Sequence, residues 1–155
     1  MLLSHETTYE SFLNILKENK LTSNKINKNV RYGWPHYEND YVYFTVVKSR
    51  NRKCNAICIY FNSTLLLNKK FILTNEWEPI INSDNYKYQT NINTLITNNQ
   101  IAIKTKVCNI KKHIYAIKIR INAQMDILLL KKLLINFTYK EINTKFAKYL
   151  VFFKK

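Results

Sequence analysis

The sequence predicts an α+β fold, a mostly antiparallel or mixed sheet with one helix near the start of the chain and another near its end. Three observations carry this. A strand-like opening segment runs straight into an amphipathic helical pattern, several runs in the middle alternate with period 2, and a Leu/Ile-rich helical pattern returns late.

The chain has 155 residues, enough for one domain with its own hydrophobic core. No repeat, linker or low-complexity block divides it, so one domain over residues 1–155 is expected. With 46% hydrophobic and 14% aromatic residues it holds the apolar surface needed to offset the entropy of ordering, which excludes a disordered tail.

Met1 to His5 reads as a short strand. Thr7 followed by Glu10 has capping-box spacing for a helix starting near Thr8, and Tyr9, Phe12, Leu13 and Leu16 then share one helical face. The single glycine, Gly33, with Pro35 beside it, marks a loop at residues 31–40. Tyr41 to Val47 is a strand by its β-branched and aromatic content, with Tyr41, Tyr43 and Thr45 on one face and Val42, Phe44 and Val46 on the other. Ala56 to Phe61 reads as a central strand, and Phe71 to Thr74 is a shorter one. Residues 79–99 are polar and Asn-rich, as expected of a long irregular connection. Gln100 to Thr105 and Ile114 to Ile121 are further strands. In the second, Ile117, Ile119 and Ile121 alternate with Lys118 and Arg120, so one face is buried and the other cationic. Met125 to Phe137 is expected to be helical, although its Leu/Ile run also suits a strand, and Phe146 to Phe153 fits either state.

Lysine and arginine total 25 against 10 acidic residues, a net charge of +15. Such a charge produces a field of several kT at the surface and favours a polyanionic partner. Its distribution is uneven. No acid occurs between Asp40 and Glu76, a gap holding Lys48, Arg50, Arg52 and Lys53. None occurs between Asp84 and Asp126, a gap holding Lys104, Lys106, Lys111, Lys112, Lys118 and Arg120. Tyr86, Tyr88 and Tyr115 lie among these cations and could stack on bases, so DNA or RNA is the expected partner.

Cys54, Cys58 and Cys108 are odd in number and lack paired zinc spacing, so free thiols in a reducing, intracellular compartment are expected and no metal site is. The opening Met-Leu-Leu-Ser-His has no basic segment or long apolar run, and no stretch approaches the roughly 20 apolar residues of a membrane span. No membrane partner is expected. One glycine also excludes the Gly-rich phosphate loops of the P-loop and dinucleotide-binding folds.

Three segments hold candidate chemistry. His5-Glu6-Thr7 stands where a strand gives way to a helix, so the imidazole can bond a ligand hydroxyl. Tyr41 and Tyr43 alternate onto one face, where they could stack on a flat ring. Gln100, Ala102 and Lys104 share a strand face opposite Ile101 and Ile103. Taken in order, these segments resemble the ADP-ribosyltransferase fold, in particular the histidine-tyrosine-glutamate branch that includes the poly(ADP-ribose) polymerases. Leu-Ser-His5-Glu6-Thr7 is similar to the family's His-Gly-Thr strand, Tyr41-Val-Tyr43-Phe44-Thr45 to its Gly-Ile-Tyr-Phe-Ala strand, and Asn99-Gln100 to its Asn-Glu strand. Ile110 to Lys118 resembles the strand that follows. The pattern spans residues 1–121.

The resemblance implies an NAD-dependent transferase in which His5 bonds a ribose hydroxyl, Thr7 supports it and Tyr43 packs on the nicotinamide ring. Gln100 takes the position of the catalytic glutamate, making the triad His-Tyr-Gln. Two departures follow. Glu6 replaces the glycine whose backbone holds the carboxamide, and Gln100 lacks the charge that stabilises an oxocarbenium ion, so mono-transfer or an inactive protein is implied rather than chain elongation. Glu76, Glu78 and Glu141 are the alternative acids, with Trp77 as a further stacking ring. Two rival functions share the fold: a nucleic-acid-binding protein without activity, and an RNA 2'-phosphotransferase-like enzyme, which requires cations beside His5 and Tyr43.

Overall fold

A computed structural model describes residues 1–23, 40–50, 53–75 and 86–155. It confirms the α+β class, with an early helix, a late helix and a large antiparallel sheet. Among the described residues ten strands and two α-helices run in the order β1 (Leu2–Thr7), α1 (Tyr9–Glu18), β2 (Lys20–Thr22), β3 (Tyr41–Val47), β4 (Ile57–Asn62), β5 (Ile72–Asn75), β6 (Asn99–Lys104), β7 (Lys106–Cys108), β8 (Ile114–Arg120), α2 (Ile127–Leu133), β9 (Phe137–Asn143) and β10 (Lys148–Lys154). Eight strands form one sheet in the order β5-β6-β3-β1-β4-β8-β10-β9, while β2 and β7 pair separately. Each of these pairings is antiparallel.

Alternation assigns the two faces of the sheet. Leu3, Val42, Phe44, Val46, Ile59 and Ile117 lie on one face, where they pack with Phe12 and Leu16 of α1 and Leu130 of α2. Both helices therefore cover this face. The Tyr9 hydroxyl ties them together by accepting from the Asp126 amide at 3.3 Å, next to the start of α2. The opposite face carries no helix among the described residues. Its smaller clusters are Val47, Cys54, Cys58, Tyr60 and Ala116 on one side, and Tyr41, Ile72 and Ala102 on the other.

Several expectations are corrected. The cap of α1 is Thr8, whose hydroxyl accepts from the Ser11 amide at 3.2 Å, whereas Thr7 still belongs to β1. The late helix is shorter than Met125 to Phe137, because Asp126 caps it and it ends at Leu133, leaving Phe137 to start β9. Of Phe146 to Phe153, the part from Lys148 on is strand, β10 (Lys148–Lys154). The loop at residues 31–40, apart from Asp40, and the first part of 79–99 lie outside the described residues; residues 86–98 form irregular chain with one short 3-10 turn at Ile92–Thr94.

Asparagine takes over work usually done by glycine. Asn19, Asn68, Asn98 and Asn109 adopt positive φ, the left-handed region that asparagine tolerates better than other non-glycine residues. Asn19 does so at the end of α1 and its side-chain oxygen accepts from the Lys111 amide at 2.9 Å, fixing the segment ahead of β8. Thr105, a β-branched residue, also has φ of 73°. Its strain is offset by backbone bonds on both sides, since its amide donates to Asp40 and its carbonyl accepts from Ser23.

Candidate functional site

Strand β1 stays paired with β4 along its whole length, from Leu2↔Asn62 to Thr7↔Ile57. With β3 it pairs over Leu2↔Val47 to Ser4↔Thr45 and no further. Beyond that row the two strands part, and the second half of β1, His5 to Thr7, separates from the first half of β3. Tyr41 to Phe44 instead keep their pairing with β6, where Tyr43 faces Ala102 and Thr45 faces Gln100. The result is a split in an otherwise continuous sheet, opening toward the end of β1 that leads into α1.

His5 closes the root of this split. Its Nδ1 lies 2.8 Å from the Tyr43 carbonyl oxygen. A carbonyl can only accept, so the bond places the proton on Nδ1 and leaves Nε2 as an acceptor. The ring leans on Phe44, with centroids 5.7 Å apart at 53°. Burial pushes its pKa below the ordinary 6.5, against the Tyr43 carbonyl and the Glu6 charge, which both pull upward.

That shift predicts a pH dependence. Above pH 6.5 the imidazole is neutral in folded and unfolded chains alike, and its contribution to stability is complete. As pH falls below 6.5 the unfolded chain takes up the proton first, so stability is lost on the way down to the lower folded value. His113, also shifted downward, adds a slope of the same sign. Urea midpoints compared between His113→Gln and the double variant with His5→Gln are expected to lose most of this slope when His5 is removed.

The register separates the predicted triad by face. Ser4, Thr45 and Gln100 stand in one cross-strand row and share the helix-free face with Tyr43, whereas His5 shares the helix-covered face with Leu3 and Phe44. His5 therefore meets Tyr43 through a backbone carbonyl at the split and not side chain to side chain. Tyr43 and Gln100 are both half-buried and sit diagonally on adjacent strands.

Tyr41, expected beside the ligand, is 4% exposed and packs with Ile72 and Ala102, and its hydroxyl lies 3.3 Å from that of Tyr88. Tyr43, half-buried, is the more exposed of the two. Glu6 bonds the Asn55 amide through Oε1 at 3.0 Å, on the β4 side of β1 and away from β3. The Glu6 carboxylate is thus drawn off the split. Thr7, on the His5 face, pairs with Ile57.

Among the alternative acids, Glu141 is ruled out of this site because β9 is the outermost strand, four strands from β1. Glu76, Trp77, Glu78 and Arg52 lie outside the described residues. The predicted cations are divided between the two ends of the sheet, and three of them lie at the end where the split opens. Lys104 sits opposite Tyr41, and Lys118 and Arg120 lie on β8 toward the same end of the sheet. Lys111 and Lys112 precede β8 at the other end, Lys106 is on the separate β2–β7 ribbon, and Lys53 is exposed in the segment before β4.

Comparison with family models, curated proteins and solved structures finds no match. Among the described residues no helix is long and apolar enough to cross a membrane.

A different feature escaped the sequence reading. A cleft of about 470 Å³ lies toward the β8-β10-β9 edge of the sheet, lined by Arg50, Asn62, Tyr115, Lys140, Phe153 and Lys154 among others. Lys140, Phe153 and Lys154 come from a part of the chain whose strands were not distinguished, so nothing local linked them to Arg50.

Proposed function

We propose that the split between β1 and β3 binds NAD and that the protein is an ADP-ribosyltransferase-like protein with weak mono-transfer activity. The observation that carries this reading is the parting of the strands at Ser4↔Thr45, with His5 bridged to the Tyr43 carbonyl and Tyr43 and Gln100 beside each other on one face. His5 Nε2, held as an acceptor, suits a ribose hydroxyl. Tyr43 lies against the apolar cluster of Tyr41, Ile72, Ala102 and Tyr86, which suits a flat, uncharged leaving ring such as nicotinamide better than a phosphate. That apolar floor favours NAD over the RNA 2'-phosphotransferase alternative.

In the reaction the bond between ribose C1' and the nicotinamide nitrogen breaks, and nicotinamide leaves with the electron pair. An acceptor oxygen or nitrogen then attacks C1' and gives up its proton. Gln100 can bond a ribose hydroxyl through its amide but supplies no negative charge to the cationic sugar, which is why the activity is placed low.

Calorimetric titration with NAD tests the reading. Binding is expected for the unaltered protein, with Tyr43→Ala and His5→Ala each weakening it by about tenfold or more, the worth of a lost ring contact or a buried hydrogen bond. Absence of NAD binding, or affinity indifferent to both substitutions, overturns it.

A further inference from the structure

We propose that the helix-free face carries a seat for single-stranded nucleic acid toward the β8-β10-β9 edge of the sheet, three to four strands from the split. The register fixes its separateness. Phe153 stands level with Ser4 in the row Ser4–Tyr60–Ala116–Phe153, but β4 and β8 lie between β1 and its strand β10, and Lys140 is one strand further out on β9. The seat therefore does not depend on the NAD reading.

Its chemistry is cations held on rings. The Arg50 guanidinium lies 4.3 Å from the centroid of Phe153 and 5.7 Å from that of Tyr115, and Lys140 Nζ lies 5.6 Å from Phe153. A guanidinium stacked on a ring is held flat with its N–H edges free to bond phosphate in plane. Lys154 Nζ donates to the Lys112 carbonyl at 2.9 Å, which brings a further cation to the rim.

Among the described residues no carboxylate lines the cleft. Lys20 forms an ion pair with Glu18 at the end of α1, away from the cleft. The single strand glutamate near this region, Glu141, alternates onto the helix-covered face, since it pairs with Leu150 while Lys140 pairs with Val151. His113 registers the same field: burial lowers its pKa, and Lys112, Lys69 and Lys154 lower it further.

Rings and cations together select among polyanions. Tyr115 is 41% exposed, the surface with which a tyrosine can stack on a base. Bases in a duplex are already stacked and paired, and inorganic polyphosphate has none. A cleft of about 470 Å³ falls within the range that takes a small organic ligand, here a nucleotide unit of the chain. Three phosphates neutralised by Arg50, Lys140 and Lys154 imply a salt slope of about −2 for a single strand, at about 0.7 per contact.

The test is fluorescence anisotropy with a labelled oligodeoxythymidine, repeated across salt concentrations and in competition with duplex DNA and polyphosphate. The double variant Arg50→Gln/Lys140→Ala is expected to weaken binding about tenfold or more and to flatten the slope by about 1.4. It should keep the fold, because the Tyr60 hydroxyl bonds the Arg50 backbone carbonyl rather than its side chain. Tyr115→Leu is expected to weaken the single strand about fivefold or more while leaving polyphosphate unchanged. The control Lys17→Ala/Lys132→Ala removes the same charge from the exposed surface of the two helices and is expected to change little. Equal loss in that control means diffuse charge only and overturns the proposal. So does competition by duplex or polyphosphate as effective as by the single strand, or a Tyr115→Leu variant that binds normally.

Discussion

Replacing Phe44 by alanine is expected to lower the unfolding free energy by about 3–5 kcal/mol, the usual cost of emptying a buried phenylalanine site. Phe44 is 1% exposed, at the centre of the helix-covered face. Its ring meets Phe61 edge-on, 5.8 Å between centroids, and supports the His5 imidazole on its other neighbour side. Both contacts vanish with the ring, and strands β3, β1 and β4 cannot close the gap because their ladders fix the spacing. Against a total stability of about 5–15 kcal/mol such a loss is severe. Guanidinium denaturation checks it, the midpoint falling with the slope preserved. Tyr139→Ala on the outer strand, 47% exposed, provides the comparison, and a Phe44→Ala loss no larger than that one contradicts the packing described.

Under the NAD reading, Gln100→Glu is expected to raise nicotinamide release from NAD by about 100-fold, roughly 2.7 kcal/mol of transition-state stabilisation. The substitution is nearly isosteric and retains a hydrogen-bond acceptor, but adds the charge that a developing oxocarbenium ion requires. Gln100 is suitably placed for this, half-buried at the root of the split in the row with Ser4 and Thr45 and next to Tyr43. Release is measured by chromatographic assay of free nicotinamide, with unfolding temperature as the check that the new carboxylate is tolerated. Adding His5→Ala should abolish the gain. NAD bound by both proteins without release from either points to a binding protein that has lost the chemistry.

Much of this architecture was legible in the sequence. Val42, Phe44 and Val46 against Tyr41, Tyr43 and Thr45 announced a two-faced strand, and the structure puts the first set under the helices and the second on the open face. Phe12 and Leu16 likewise read as the buried side of α1. The hairpin of β9 and β10 was hidden because the Leu/Ile run of α2 continues into Phe137 with no glycine or proline to mark a stop. β2 and β7 are three residues each, too short to show a period, and exist through their mutual pairing.

By itself the sequence determined which residues share a face, since alternation is a local property of the chain. It also determined the charge, with cations concentrated in stretches free of acids. Only the tertiary structure decided where a ladder stops and which distant side chains meet. Pairing ends at Ser4↔Thr45 because β3 turns to β6 while β1 follows β4, a choice set by neighbours far along the chain. Arg50 rests on Phe153 for the same reason: β8 and β10 pair beside β4, and that pairing brings a ring near the end of the chain under a guanidinium from the segment after β3.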